Sequence, residues 1–296
     1  MTFINDFHYL AAISGSAIPI PMYRNVWKEC QSSVCSIQYL SKSGTRTTTF
    51  TGFKIRNYLI TDEVVSKFAH PEEVKIYFTE SDGYTERVSK TLGYHEFRDH
   101  FETRGAARRP GYAIINLDFD EFRNIPSLKC SKRINFEIGH PIAILGYQIE
   151  RDNLSIKKGI ISSFYRELDG LNYIQVDCSI AQGNAGSPLI DAETLEVIGV
   201  VRHKLTFIAK TYREMMRIMN NNLKILKDAE GKFNFSDIDP VQVLIANQNQ
   251  IKYMVNEFFK FAHIRVGFAV ELCSLVDMCT EPEDVTSVDL EQHPGE

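Results

Sequence analysis

The chain has 296 residues, of which 44% are hydrophobic and 24% charged, with a formal net charge of −5. That composition describes an ordinary globular protein with an ample core, built as one large or two small domains. The acidic balance argues against a nucleic-acid partner, which normally leaves a basic footprint, and no run approaches the roughly 20 apolar residues that cross a bilayer, so no membrane partner is expected.

In chain order, Tyr9 to Pro21 is mildly apolar but lacks a basic leader and follows Asp6, so it does not read as a signal peptide. Ala17 to Met22 contains Pro19 and Pro21 and reads as an extended arm rather than a helix. Thr91 to Arg109 holds Tyr94, His95, Phe97, His100 and Phe101; the two histidines do not share a helical face, and no metal site is expected. Arg104 to Arg109, with Lys157 and Lys158, makes a small basic cluster that reads as solvated loop. Tyr173 to Ile180 alternates as a strand does and runs into Gln182-Gly183-Asn184-Ala185-Gly186-Ser187-Pro188-Leu189-Ile190.

Beyond Val201, apolar residues recur at helical spacing. Phe207, Ile208, Tyr212, Met215, Met216, Met219, Leu223 and Leu226 form one set; Val241, Leu244, Ile251, Met254, Val255, Phe258 and Phe259 form a second. Asp228 to Pro240 lies between them, with Gly231 for a turn and Asp239 before Pro240 as an N-cap. A helical hairpin is expected. Thr280 to Glu296 is acidic, poor in apolar residues and interrupted by Pro282 and Pro294, the pattern of a disordered tail. The six cysteines (Cys30, Cys35, Cys130, Cys178, Cys273, Cys279) show neither a CxxC pair nor metal-ligand spacing, so free thiols in a reducing cytoplasm are expected, with no cofactor.

The run from Gln182 to Ile190 resembles the nucleophile turn of trypsin/HtrA-type serine proteases, Gly-Asn/Asp-Ser-Gly-Gly-Pro-Leu. Further segments resemble the same family in family order. They are Thr51-Gly52-Phe53-Lys54-Ile55 with Tyr58-Leu59-Ile60-Thr61, Gly139 to Tyr147, Lys158 to Ser162, Leu195 to Val201 and Ile264 to Val270. The resemblance implies an all-β core of two packed antiparallel six-stranded barrels, with the helical hairpin inserted near the C-terminal barrel. It divides the chain into an N-terminal arm (1–29), a first barrel (30–125), a second barrel (126–275, carrying the hairpin at 205–262) and an acidic tail (276–296).

The same resemblance locates a degenerate catalytic triad. The histidine, aspartate and serine positions are occupied by Val64, Gly111 and Ala185. Such triads depend on all their members together, so hydrolysis is not expected. The oxyanion-type backbone N–H groups, at Gly183 and Ala185, need no particular side chain and are expected to persist. The family's specificity pocket maps to Ser179, Val201 and His203, which suggests a small uncharged groove. Substitute chemistry is weak: His70 lies nine residues beyond Thr61, Ser187 is turned away from the nucleophile position, and Cys178 reads as a buried strand thiol.

Two functions compete. The favoured one is a catalytically inactive module that binds or regulates through a protein or peptide partner, with the hairpin's Met216 and Phe259 as candidate contacts; for a bacterial chain, a defence or stress assembly is the suggested setting. The other is an active serine endopeptidase in which Ala185 replaces the nucleophile, which requires Val64 and Gly111 to be misplaced.

Overall fold

The computed structural model describes residues 21–67, 71–102, 111–133, 135–148, 151–202, 207–232, 239–261 and 266–272. The expected tail, His70 and His203 lie outside them.

The chain enters as a helix. Pro21, at φ −54° and ψ 134°, is extended and stands as N-cap to α1 (Met22–Cys30). Val26 and Cys30, four residues apart, point to one side and are buried, with Met22, Tyr23 and Trp27 packed beside them. Residues 17–20 of the expected arm lie outside the described residues, and from Met22 onward α1 takes the place of the extended reading.

Six antiparallel strands form the first sheet: β1 (Val34–Leu40), β2 (Arg46–Ile55), β3 (Tyr58–Asp62), β4 (Glu73–Thr79), β5 (Glu86–Gly93) and β6 (Tyr112–Asn116), in the spatial order β5-β4-β1-β2-β3-β6. The ring is not completed by a β5–β6 ladder. At Gly93 the chain leaves β5 for the short helix α2 (Tyr94–Asp99), whose Tyr94 and Phe97 are buried in the sheet's core. The return from α2 then covers the edge of β6: the Asn116 N–H donates to the His100 carbonyl at 2.8 Å and the Glu102 N–H to the Ile114 carbonyl at 2.9 Å. Covering that edge leaves fewer exposed strand groups.

The second sheet closes fully. β7 (Pro141–Gln148), β8 (Arg151–Arg166), β9 (Asn172–Val176), β10 (Pro188–Asp191), β11 (Val197–Val201) and β12 (Gly267–Glu271) form a barrel in the order β10-β11-β12-β9-β8-β7. One apolar cluster fills each barrel. A third joins them, combining Phe53, Ile60 and Tyr77 with Leu145, Tyr147, Val200 and Val270, and Val26 and Cys30 of α1 belong to it. The architecture is a trypsin-like double barrel.

Between β11 and β12 stand α3 (Phe207–Ala229) and α4 (Pro240–Phe261), the hairpin expected from spacing. Asp239 caps α4, accepting from the Val241 N–H at 2.8 Å, while its second oxygen accepts from the Gly231 N–H at 2.8 Å. Tyr212 stacks on Phe259 with ring centroids 4.0 Å apart, and Lys252 donates to the Asn220 side chain at 2.7 Å, so the helices run antiparallel. None of their residues belongs to the three barrel clusters.

Candidate functional site

The turn from Ala181 to Ser187 is built around one side chain. Asn184 is fully buried; its Oδ1 accepts from the Ala181 N–H at 2.9 Å and from Lys157 Nζ at 2.6 Å, and its Nδ2 donates to the Tyr147 carbonyl at 2.7 Å. Lys157 also donates to the Ser179 carbonyl at 2.9 Å, and burial lowers its pKa below the usual lysine value. Three polar groups thus hold the turn in shape with no contribution from residue 185.

The turn docks on the first barrel. The Thr51 N–H donates to the Ala185 carbonyl at 2.9 Å, and the Thr51 hydroxyl donates to the Gly183 carbonyl at 2.8 Å. Gly186 makes the approach possible. Its φ is +88°, and a Cβ there would lie 2.1 Å from the Thr51 carbonyl oxygen and 2.2 Å from Thr61 Oγ1. The backbone is consequently pressed against the paired strands β2 and β3, at the seam of the two barrels.

The three positions that the resemblance assigns to a triad carry no reactive side chain. Asp62 ends β3 and caps the following 3-10 turn, accepting from the Val64 N–H at 3.0 Å. Val64 is half-buried against the first-barrel cluster that also contains Ala185. Gly111 precedes β6 at φ +80°, with Leu171, Arg202 and Val270 around it.

Arg202 lies at the candidate site and was not singled out by motif reading. It follows β11 directly and pairs with Glu63, approaches Asp62 Oδ1 at 3.8 Å, and donates to the Tyr173 hydroxyl at 3.0 Å. Its guanidinium also borders the place a side chain at 111 would take, since a Cβ there would be 3.2 Å from Nη1. For Glu63, burial alone would raise the pKa, but Lys67 and Arg202 outweigh it and hold the carboxyl below its usual value. The only available signal was a charged residue closing an apolar strand, with Asp62-Glu63 far away in sequence.

Two backbone N–H groups of the turn are left over. Neither the Gly183 N–H nor the Ala185 N–H donates to a backbone acceptor among the described residues, although both residues are buried. The Ala185 methyl group stands beside them, 4% exposed.

Other expected contacts need correction. Val201 is fully buried in the second-barrel core, because β11 is covered on both faces, and so it lines no groove. Ser179 is half-buried at the rim, with its carbonyl engaged by Lys157. Phe259 faces Tyr212 inside the hairpin, so its neighbour Phe258, 72% exposed, is the outward residue; Met216 is half-buried. Ser187 is fully buried, and Cys178 is buried with its thiol pKa raised first by burial. At the far end of β10, His140, Asp191 and Glu193 bring possible ligand atoms within 4.8 Å of one another. Asp191 Oδ1 is engaged there by His140 at 2.9 Å and by the Glu193 N–H at 2.9 Å, which makes the cluster a turn support.

The model of the trypsin-like peptidase domain matches residues 50–200, slightly more than half of the chain. No curated protein sequence matches. Among solved structures, the HtrA-type protease AlgW with a tripeptide is similar at 18% identity and a TM-score of 0.45, with 61% of this chain and 54% of that one covered. A variant of AlgW with a tripeptide gives 18% identity, a TM-score of 0.46 and coverage of 62% and 54%. The serine endoprotease from Yersinia pestis gives 17%, 0.46, 63% and 58%. The chain thus spans a little over half the length of each.

Proposed function

Because the chain belongs to the family of trypsin-like peptidase domains, we propose that it has kept the family's seam as a binding site and lost the hydrolytic centre, acting as a module that captures an extended peptide or protein segment. The observation that carries this reading is the pair of N–H groups at Gly183 and Ala185 that meet no backbone acceptor among the described residues, beside a methyl group. Two such donors in one turn favour a carbonyl or carboxylate oxygen where they point to one place, and they do so whether or not a nucleophile follows. Covalent attack has no agent: Ala185 has no Oγ, Ser187 is fully buried, and burial raises the Cys178 thiol pKa. Arg202 cannot serve as the missing base, since a guanidinium stays protonated. The four described cysteines are buried and free, which suits the reducing cytoplasm we assign it to.

Peptides selected on the purified protein from a random library test the reading. They are expected to bind without being cleaved, and Ala185→Leu, which extends a side chain beside the N–H pair, should weaken binding at least about tenfold. The protein should not react with a fluorophosphonate probe. Stoichiometric labelling at Ser187 or Cys178, or turnover of casein, overturns the reading.

A further inference from the structure

The hairpin carries an apolar face that its own two helices do not cover. On α3, Met219 and Leu223 are buried and Tyr212 meets Phe259, which marks the side toward α4. Met215, Ile218 and Ile225 are all exposed, and at about 100° per residue they fall roughly 60–140° from Tyr212, to one hand. On α4 the side toward α3 is marked by Lys252, Asn256 and Phe259. Leu244, Ile251, Met254 and Phe258 are exposed and lie about 60–140° from Phe259, to the same hand. In an antiparallel pair, equal offsets to the same hand fall on one side of the pair. Both stripes therefore merge into a single face.

We infer that this face is where a second copy of the chain docks, two hairpins packing face to face into a four-helix layer with twofold symmetry. Charge favours that occupant. Arg213, Arg217, Lys224 and Lys227 of α3 fall on the opposite hand, and the polar residues among the apolar ones (Thr211, Asn222, Asn247) are uncharged and exposed. Glu214 borders the face beside Ile218 and Ile225 and is paired with Arg217. An identical face meets no unpaired like charge there, and its hydroxyl and amide groups can bond across the twofold axis. A charged partner would find no counter-charge on the face. Area favours it too. Helices of 23 and 22 residues are about 34 Å long, and two side by side are about 20 Å wide, which gives a face of roughly 700 Å² per copy. That is close to the ~800 Å² per partner of a standard interface.

Sedimentation velocity on the full chain at about 1–100 μM tests the proposal, since interfaces of this size commonly reach micromolar affinity or better. The wild type is expected to sediment as a dimer, and Phe258→Glu and Ile225→Glu each to raise the dissociation constant at least about 100-fold while far-UV circular dichroism stays unchanged. Tyr253→Glu, on the other hand of α4, should remain dimeric. Should Phe258→Glu precipitate, Met254→Lys makes the same test. A monomeric wild type, or equal dissociation by Tyr253→Glu, overturns the proposal. Because these variants lie away from the seam, peptide binding there should survive in the monomers, so the two readings fail separately.

Discussion

The Arg202 side chain borders the place that a side chain at 111, the position assigned to the triad acid, would take. Restoring the family's residues is therefore not enough to restore its chemistry. Ala185→Ser alone should give no turnover, because a serine hydroxyl without an imidazole stays protonated near neutral pH. Adding Val64→His and Gly111→Asp should not rescue it: a Cβ at 111 would lie 2.6 Å from Leu171 Cδ1 and 3.2 Å from Arg202 Nη1. Peptidase assays should show activity only after Arg202 is also replaced by a small residue. Turnover by the single variant would mean that the base lies elsewhere. The ion-pair group also sets a pH dependence. Glu63 titrates below its ordinary 4.5, so its contribution to stability is present above that value and lost as pH falls through the lower folded value. Glu63→Gln should cost about 2 kcal/mol at neutral pH, as a partly buried charged contact does, and should converge with the wild type in acid. Equal differences in melting temperature at pH 7 and pH 3 would remove Glu63 from the account.

Among elements, the nucleophile turn shows how a local motif survives the loss of its chemistry. Its shape resides in Asn184, Lys157 and Gly186 rather than in the residue at 185, so a run with alanine in place of serine stayed legible. Asn184→Ala should be costly, since it leaves the Tyr147 carbonyl, the Ala181 N–H and the Lys157 ammonium each short of a partner. A loss of about 3 kcal/mol is expected in urea unfolding; a loss under about 0.5 kcal/mol would show that the turn holds its shape by backbone alone. The hairpin was equally legible, since two long periodic stripes joined by a capped loop have few other readings. Its facing was not: adjacent Phe258 and Phe259 differ by about 100° on the helix, and only the stack on Tyr212 decides which turns inward. Two prolines obscured α1, because Pro21 is itself extended and also caps the start of the helix. Arg202 was illegible for another reason, as a contact between residues 63 and 202 leaves no periodic trace.

Across the molecule, the seam is what makes two barrels one unit. Its cluster draws on both barrels and on α1, and the chain's one tryptophan, Trp27, packs against it with its indole N–H donating to the Ser81 carbonyl at 3.1 Å. Trp27 fluorescence therefore reports on the seam, while far-UV circular dichroism reports on strands and helices wherever they lie. If the barrels depend on their docking, both signals should follow one thermal transition in the wild type. Gly186→Ala probes that dependence at its tightest point. The new methyl would meet the Thr51 carbonyl and Thr61 Oγ1 at little more than 2 Å, on a backbone at φ +88° that side chains rarely adopt. Neither neighbour can yield readily, because the Thr61 hydroxyl donates to that same carbonyl at 2.7 Å and Thr51 also anchors the Gly183 carbonyl. The variant should lose about 3 kcal/mol or more, with fluorescence and dichroism moving together to the lower temperature. An unchanged melting temperature would mean that the turn is not pressed against β2 and β3. A fluorescence transition that moves while the dichroism stays would mean that the barrels fold independently, with the seam cluster as a surface contact between them.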